Sequence, residues 1–201
     1  MSVIGDLLFF TSMQGLSLDD VFRNQKAKVL PSLITKVTAK RLSENSFDDV
    51  VDSLVAELSI EKLVLDVANG ISKIDEISIS GVNNWGERYS APGLRLAKIY
   101  PFTGDPSLWK VHAGSYSLSP PRGQVGNTQL TLGMEVRATD QQMAIDHIKS
   151  TVSEVLEYIE QQSTVIDIYN QSLPPVVRSA LLERQLAVEN IDSIKNALDD
   201  I

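Results

Sequence analysis

The residue types best suited to chemistry gather in one stretch of this 201-residue chain. The segment KIYPFTGDPSLW, Lys98 to Trp109, sets Tyr100, Phe102 and Trp109 around Asp105, and His112 and Arg122 follow. Aromatic faces with a few convergent polar groups are what a small-ligand pocket is made from. The same segment with Glu87 added would be the raw material of a hydrolase or nucleotide-processing site, drawing on Asp105, Glu87, His112 and Arg122. The local order argues for something simpler. Asp105 sits between Gly104 and Pro106, where a carboxylate typically accepts backbone N–H bonds in a turn. A strand, a tight turn with Gly104 at positive φ, and a short apolar run are therefore expected, with the aromatics fastening the turn to the core.

Other chemistries are disfavoured. There is no cysteine, which excludes disulfides, thiolate nucleophiles and Cys-ligated zinc. The two histidines, His112 and His147, have no metal-site spacing, and the chain has no GxSxG, Walker loop or GxGxxG after a strand. No metal and no cofactor are expected. The net charge of -8 repels phosphate backbones. The basic run Arg23, Lys26, Lys28, Lys36, Lys40 and Arg41 has no interleaved aromatic for base stacking and reads as a solvated face. The apolar run Leu7 to Phe10 is too short for a signal or a span. No nucleic-acid or membrane partner is expected, and the cytoplasm is the expected location. The glycosylation triplet Asn170-Gln-Ser172 reads as chance.

The elements that must position these residues follow from pattern. SLDDVF at Ser17 and SFDDVV at Ser46 are two helix starts rather than a repeat, each a serine cap followed by acids that suit the helix dipole. Helices are predicted from about Leu18 to Val29, with a break near Pro31, and from about Phe47 to Leu58. Strands are predicted at Glu76–Ser80, Leu94–Tyr100 and Thr128–Arg137, the last alternating Leu130, Leu132, Met134 and Val136. Lys62–Val67 is undecided between strand and helix. Ser119-Pro-Pro-Arg-Gly123 reads as a turn.

Beyond residue 140 the apolar positions step by three and four: Ile145, Ile148, Val152, Val155, Ile159, a polar Gln162, Ile166 and Tyr169. After Pro174-Pro175 a second run goes Val177, Ala180, Arg184, Ala187, Ile191, Ile194, Leu198 and Ile201, with Leu181 and Val188 as a further stripe. Two heptad helices about a proline turn predict an antiparallel hairpin. The expected fold class is α+β: N-terminal helices and a small antiparallel sheet in a body at 1–140, then a coiled-coil-like hairpin at 141–201. Ile145, Ile148, Val152, Val155, Ile159, Ile166, Leu181 and Val188 are the candidate oligomer interface. The tail Ala197-Leu-Asp-Asp-Ile201 places acids against the helix dipole with no cap, so continuation into further chain or cover by a partner is expected.

The order Pro101-Phe-Thr-Gly-Asp105, Leu108-Trp109, Pro120-Pro121, a strand, a long helix, Tyr169-Asn170, Leu173 and Arg184 resembles an N-terminal module of uncharacterised bacterial proteins, some associated with conflict or antiphage systems. The resemblance spans about Ile99 to Ile201. It implies a sensing, regulatory or scaffolding part coupled to an effector domain or subunit, and no catalytic residue carries over. The functional expectation is a non-enzymatic, self-associating scaffold module. The alternatives are the hydrolase or nucleotide-processing enzyme, or a small-ligand sensor, built on Tyr100–Arg122.

Overall fold

A computed structural model describes residues 1–9, 16–82, 85–114 and 120–199, apart from the side chains of 192, 195–197 and 199. Ser119, which opens the expected Pro-Pro turn, and Ile201, the last expected seam position, lie outside the described residues. The fold is α+β, with a seven-stranded antiparallel sheet and a long C-terminal helix. Contacts divide the chain into two units, 1–17 with 61–163 and 18–60 with 164–201. That partition differs from a division at 140.

The first unit holds the sheet. Its strands are β1 (Ser2–Val3), β2 (Asp6–Leu7), β3 (Val64–Leu65), β4 (Ile71–Val82), β5 (Arg88–Thr103), β6 (Arg122–Val125) and β7 (Gln129–Arg137). The order is β2-β6-β7-β5-β3, with β1 also on β7 and β4 also on β5. It is larger than the small sheet expected, because β4 and β5 form one twelve-pair hairpin from Ile71↔Ile99 to Val82↔Arg88. Ser-rich β4 supplies little hydrophobic alternation, which is why its length is not apparent from sequence. Leu130, Leu132 and Val136 are fully buried on one face of β7, as alternation requires. On the opposite face Arg95 and Glu135 are directly paired across β5 and β7, their side chains 2.6 Å apart.

The second unit contains α1 (Leu18–Asn24), α2 (Leu30–Thr35), α3 (Ala39–Glu44) and α4 (Phe47–Leu58). Pro31 does not break the chain. It falls in the first turn of α2, and the turn before it, Gln25–Val29, widens to π geometry with the Leu30 N–H reaching the Gln25 carbonyl. Widening relieves the clash a proline ring makes with the carbonyl four residues back. At α4, Ser46 accepts the Asp49 N–H (3.1 Å), a true N-cap.

The expected hairpin does not form. The last helix, α5, runs unbroken from Gln141 to Asp199 with Pro174 and Pro175 inside it. Each proline removes one bond, to the carbonyls of Asn170 and Gln171. Both prolines are on the exposed side of the helix, where solvent can reach a freed carbonyl. The buried stripe passes straight through them: Ile166, Tyr169, Leu173, Val177 and Leu181. Burying Leu173 and Val177, at about 1.5–3 kcal/mol each, offsets much of the roughly 3 kcal/mol a helical proline costs. Replacing Pro174 and Pro175 together by alanine should therefore raise the melting temperature by roughly 10 °C or more at unchanged helical content, since about 1 kcal/mol is worth roughly 2–4 °C at this size. A lower melting temperature with reduced helical circular dichroism would show instead that the prolines set a required break.

Candidate functional site

The aromatic segment closes as a turn at the end of β5. Asp105 caps the 3₁₀ helix Pro106–Lys110, its Oδ1 accepting the Ser107 N–H at 2.8 Å. Gly104 has φ +94, and a Cβ there would stand 2.0 Å from the Lys62 carbonyl oxygen. Lys62 leads into β3, and the Asp105 N–H donates to the Glu61 carbonyl. The turn is thereby pinned from both sides.

The aromatics face inward. Trp109 is 1% exposed, edge-on to Phe102 with ring centroids 5.3 Å apart. It also meets Phe9, which stacks on Tyr158 at 4.9 Å. Phe9 holds φ +51, and its N–H donates to the Trp109 carbonyl at 2.6 Å. A bulky residue keeps that conformation only where its surroundings over-determine it. Gln162 completes the cluster. It is 2% exposed, and its side-chain amide donates to the carbonyls of Leu108 and Val111. In the sequence Gln162 is a polar position within the apolar three-four run. Its role here is to satisfy carbonyls at the end of the 3₁₀ helix. Neither Phe9 nor Gln162 carries a sequence signal for this.

The six candidate ligand residues do not converge. Phe102 and Trp109 are core, and Asp105 is a cap. Tyr100 is buried, with its hydroxyl held above the usual tyrosine range by burial. His112 is also buried, its backbone N–H on the Leu16 carbonyl and its Nδ1 accepting the Gly114 N–H. Arg122 is exposed on β6, paired with Leu7. The enzyme reading needs Glu87 beside Asp105. Glu87 precedes the start of β5 and Asp105 follows its end, so about 50 Å of strand separates them. Among the described residues no three His, Cys, Asp or Glu side chains are placed to hold a metal ion.

The α5 positions divide by burial. Val155, Ile166 and Leu181 are 0% exposed, Val152 and Ile159 are nearly so, Ile148 and Val188 are half-buried, and Ile145 is open. Most of the expected interface is thus buried within the single chain. The last turns differ: Ile191, Ile194 and Leu198 are 59, 62 and 65% exposed, and Ala187 is exposed beside them. In the second unit, residues that carried the family resemblance have structural duties. The Asn170 amide brackets Ile60, accepting its N–H and donating to its carbonyl, both at 3.1 Å. Arg184 donates to the Val37 and Thr35 carbonyls at the end of α2, where a cation suits the helix dipole. Tyr169 stacks on Phe22 at 4.2 Å.

Asp105→Asn should be near-silent in thermal stability, since asparagine caps as well as aspartate. Gly104→Val should cost about 2 kcal/mol or more through its positive φ and the collision at Lys62. Gln162→Leu should cost about 1–3 kcal/mol for the Val111 carbonyl, which loses its donor, while the Leu108 carbonyl keeps the Val111 N–H. Chemical denaturation ranks the three. An asparagine variant as damaged as the valine variant would refute the capping role.

No family model, curated protein or solved structure matches this chain.

Proposed function

We propose that this protein is a non-enzymatic scaffold module that self-associates through the last turns of α5. The observation that carries the reading is the exposure of Ile191, Ile194 and Leu198, each at about three-fifths, in a four-three-four pattern begun by Ala187. Three large aliphatic side chains in one line on a helix are more than the scattered apolar exposure of an ordinary surface. Their heptad spacing is what a second helix of like pattern requires. A second copy of the chain supplies such a helix. The resemblance to modules of bacterial conflict proteins points the same way, toward a regulatory part that brings effector domains or subunits together. No helix among the described residues is long and apolar enough to cross a membrane.

Light scattering at high micromolar concentration should give a dimer or larger species for the unaltered chain. Ile191→Asp with Leu198→Asp should give a monomer with the same melting temperature. Burial of two such residues is worth about 3 kcal/mol or more, so dissociation should strengthen at least about a hundredfold. A monomeric unaltered chain, or an assembly untouched by the double variant, would overturn the proposal.

A further inference from the structure

The first unit has a groove of about 600 Å³ where α5 leaves the outer part of the sheet uncovered. That volume lies within the roughly 300–1,000 Å³ of small-molecule sites. α5 does pack on the sheet nearby, where Leu96, Val136 and Ala144 are buried together with Ile148 against them. Toward edge strand β4 the two surfaces part. Ile74, Leu96 and Tyr100 line the groove from one face of the sheet, and Ile145, Ile148 and Val152 line it from the helix. Ile74 remains 65% exposed and Ile145 37%, so the apolar lining is open to a guest.

The polar groups at this groove share one sign. Lys98 extends from the same face of β5 as Leu96 and Tyr100, and Lys149 lies between Ile148 and Val152 on α5. Neither has an ion-pair partner among the described residues, and no carboxylate lines the groove. A third lysine, Lys73, falls on the opposite face by strand alternation and pairs with Asp75 at 3.2 Å. Gly70 makes the arrangement sterically feasible. A Cβ there would stand 2.6 Å from the Tyr100 ring and 2.9 Å from Lys98 Cε, so its absence lets the ring and the lysine stem lie against the strand. Lysine stems commonly cover apolar surface in this way while the ammonium stays in water. Ser72 adds a hydroxyl beside the cations, while the Ser153 hydroxyl donates to the Lys149 carbonyl.

We infer that this groove binds a small amphipathic anion, a single-chain carboxylate whose apolar tail lies between β4 and α5 and whose head meets Lys98 and Lys149. Two unpartnered cations over an apolar trough complement that ligand in both shape and charge. An uncharged hydrocarbon would leave the lysines without a counterion, and a dianion without a tail would leave the trough in water. The inference stands apart from self-association, since it uses no residue of the last turns of α5.

The probe is dodecanoate, titrated calorimetrically below its micellar range into the full chain, with dodecanol as the uncharged control. Saturable one-to-one binding of dodecanoate, weaker for dodecanol, is expected. Lys98→Met with Lys149→Met should lower dodecanoate affinity about tenfold and abolish the preference, as loss of a charge-assisted contact implies. Ser153→Trp, at an exposed helical position on the groove wall, should block binding without changing the melting temperature. Equal affinity for acid and alcohol, or an unaltered double-methionine variant, would overturn the anionic part. Absence of saturable binding, or binding indifferent to Ser153→Trp, would overturn the groove as the site.

Discussion

A line of side chains spaced three and four apart along α5 must be kept from water, and each unit is organised by that demand. In the first unit Val152, Val155 and Ile159 are covered, and the line then meets Gln162. A primary amide at that depth must find partners or cost stability. Its NH₂ group finds them at the carbonyls of Leu108 and Val111, which places the 3₁₀ helix and with it Trp109. In the second unit the same line continues as Ile166, Tyr169, Leu173, Val177 and Leu181. Its flanking polar residues, Asn170 and Arg184, are spent on backbone groups at Ile60 and at Thr35 and Val37. Helix and short segments are thus joined by directional bonds where the apolar stripe alone would leave register loose.

The clearest signals in the sequence were local. Alternation in β7 and the serine cap at Ser46 each depend on neighbours a few residues away, and both are seen. The proline pair misled because its exposure is a tertiary fact. Local chemistry alone makes Pro174-Pro175 a helix breaker. Only burial of Leu173 and Val177 on the other side of the helix makes continuation favourable, and no local pattern reports it. The length of β4 was hidden for a related reason. Its pairing with β5 supplies backbone bonds that do not depend on hydrophobic alternation.

The turn around Gly104 and Asp105 was legible because each residue acts on its immediate backbone. The groove was not. It draws on residues near 72, 97 and 149, far apart in sequence, none in a motif. Its character depends on which lysine lacks a partner: Lys73 meets Asp75 on one face of the sheet, whereas Lys98 faces the other. Strand parity settles that distinction only once the pairing of β4 with β5 is known. The aromatic segment drew attention for its composition. Yet aromatics surrounded by their own chain, as Trp109 is, contribute packing rather than recognition.

A seven-residue repeat does not stay on one face of a straight helix. A straight α-helix has 3.6 residues per turn, so positions repeated every seven drift by about 20° per repeat. Ile166, Leu173, Ala180, Ala187 and Ile194 form such a column, and over its four repeats the drift is about 80°. Burial falls along the column. Ile166 and Leu173 are covered, Ala180 is half-covered, and Ala187 and Ile194 are exposed. The buried line takes two steps of four, Leu173 to Val177 to Leu181, which turn it about 80° in the opposite sense. A column that served only the core would have lost its large side chains as it turned away. Instead it becomes small at Ala180 and Ala187, then large again at Ile194, with Ile191 and Leu198 beside it. Ile191 lies about five full turns from Leu173, on the same face of the helix, yet is 59% exposed where Leu173 is buried; the proposed self-association would cover this end of the line.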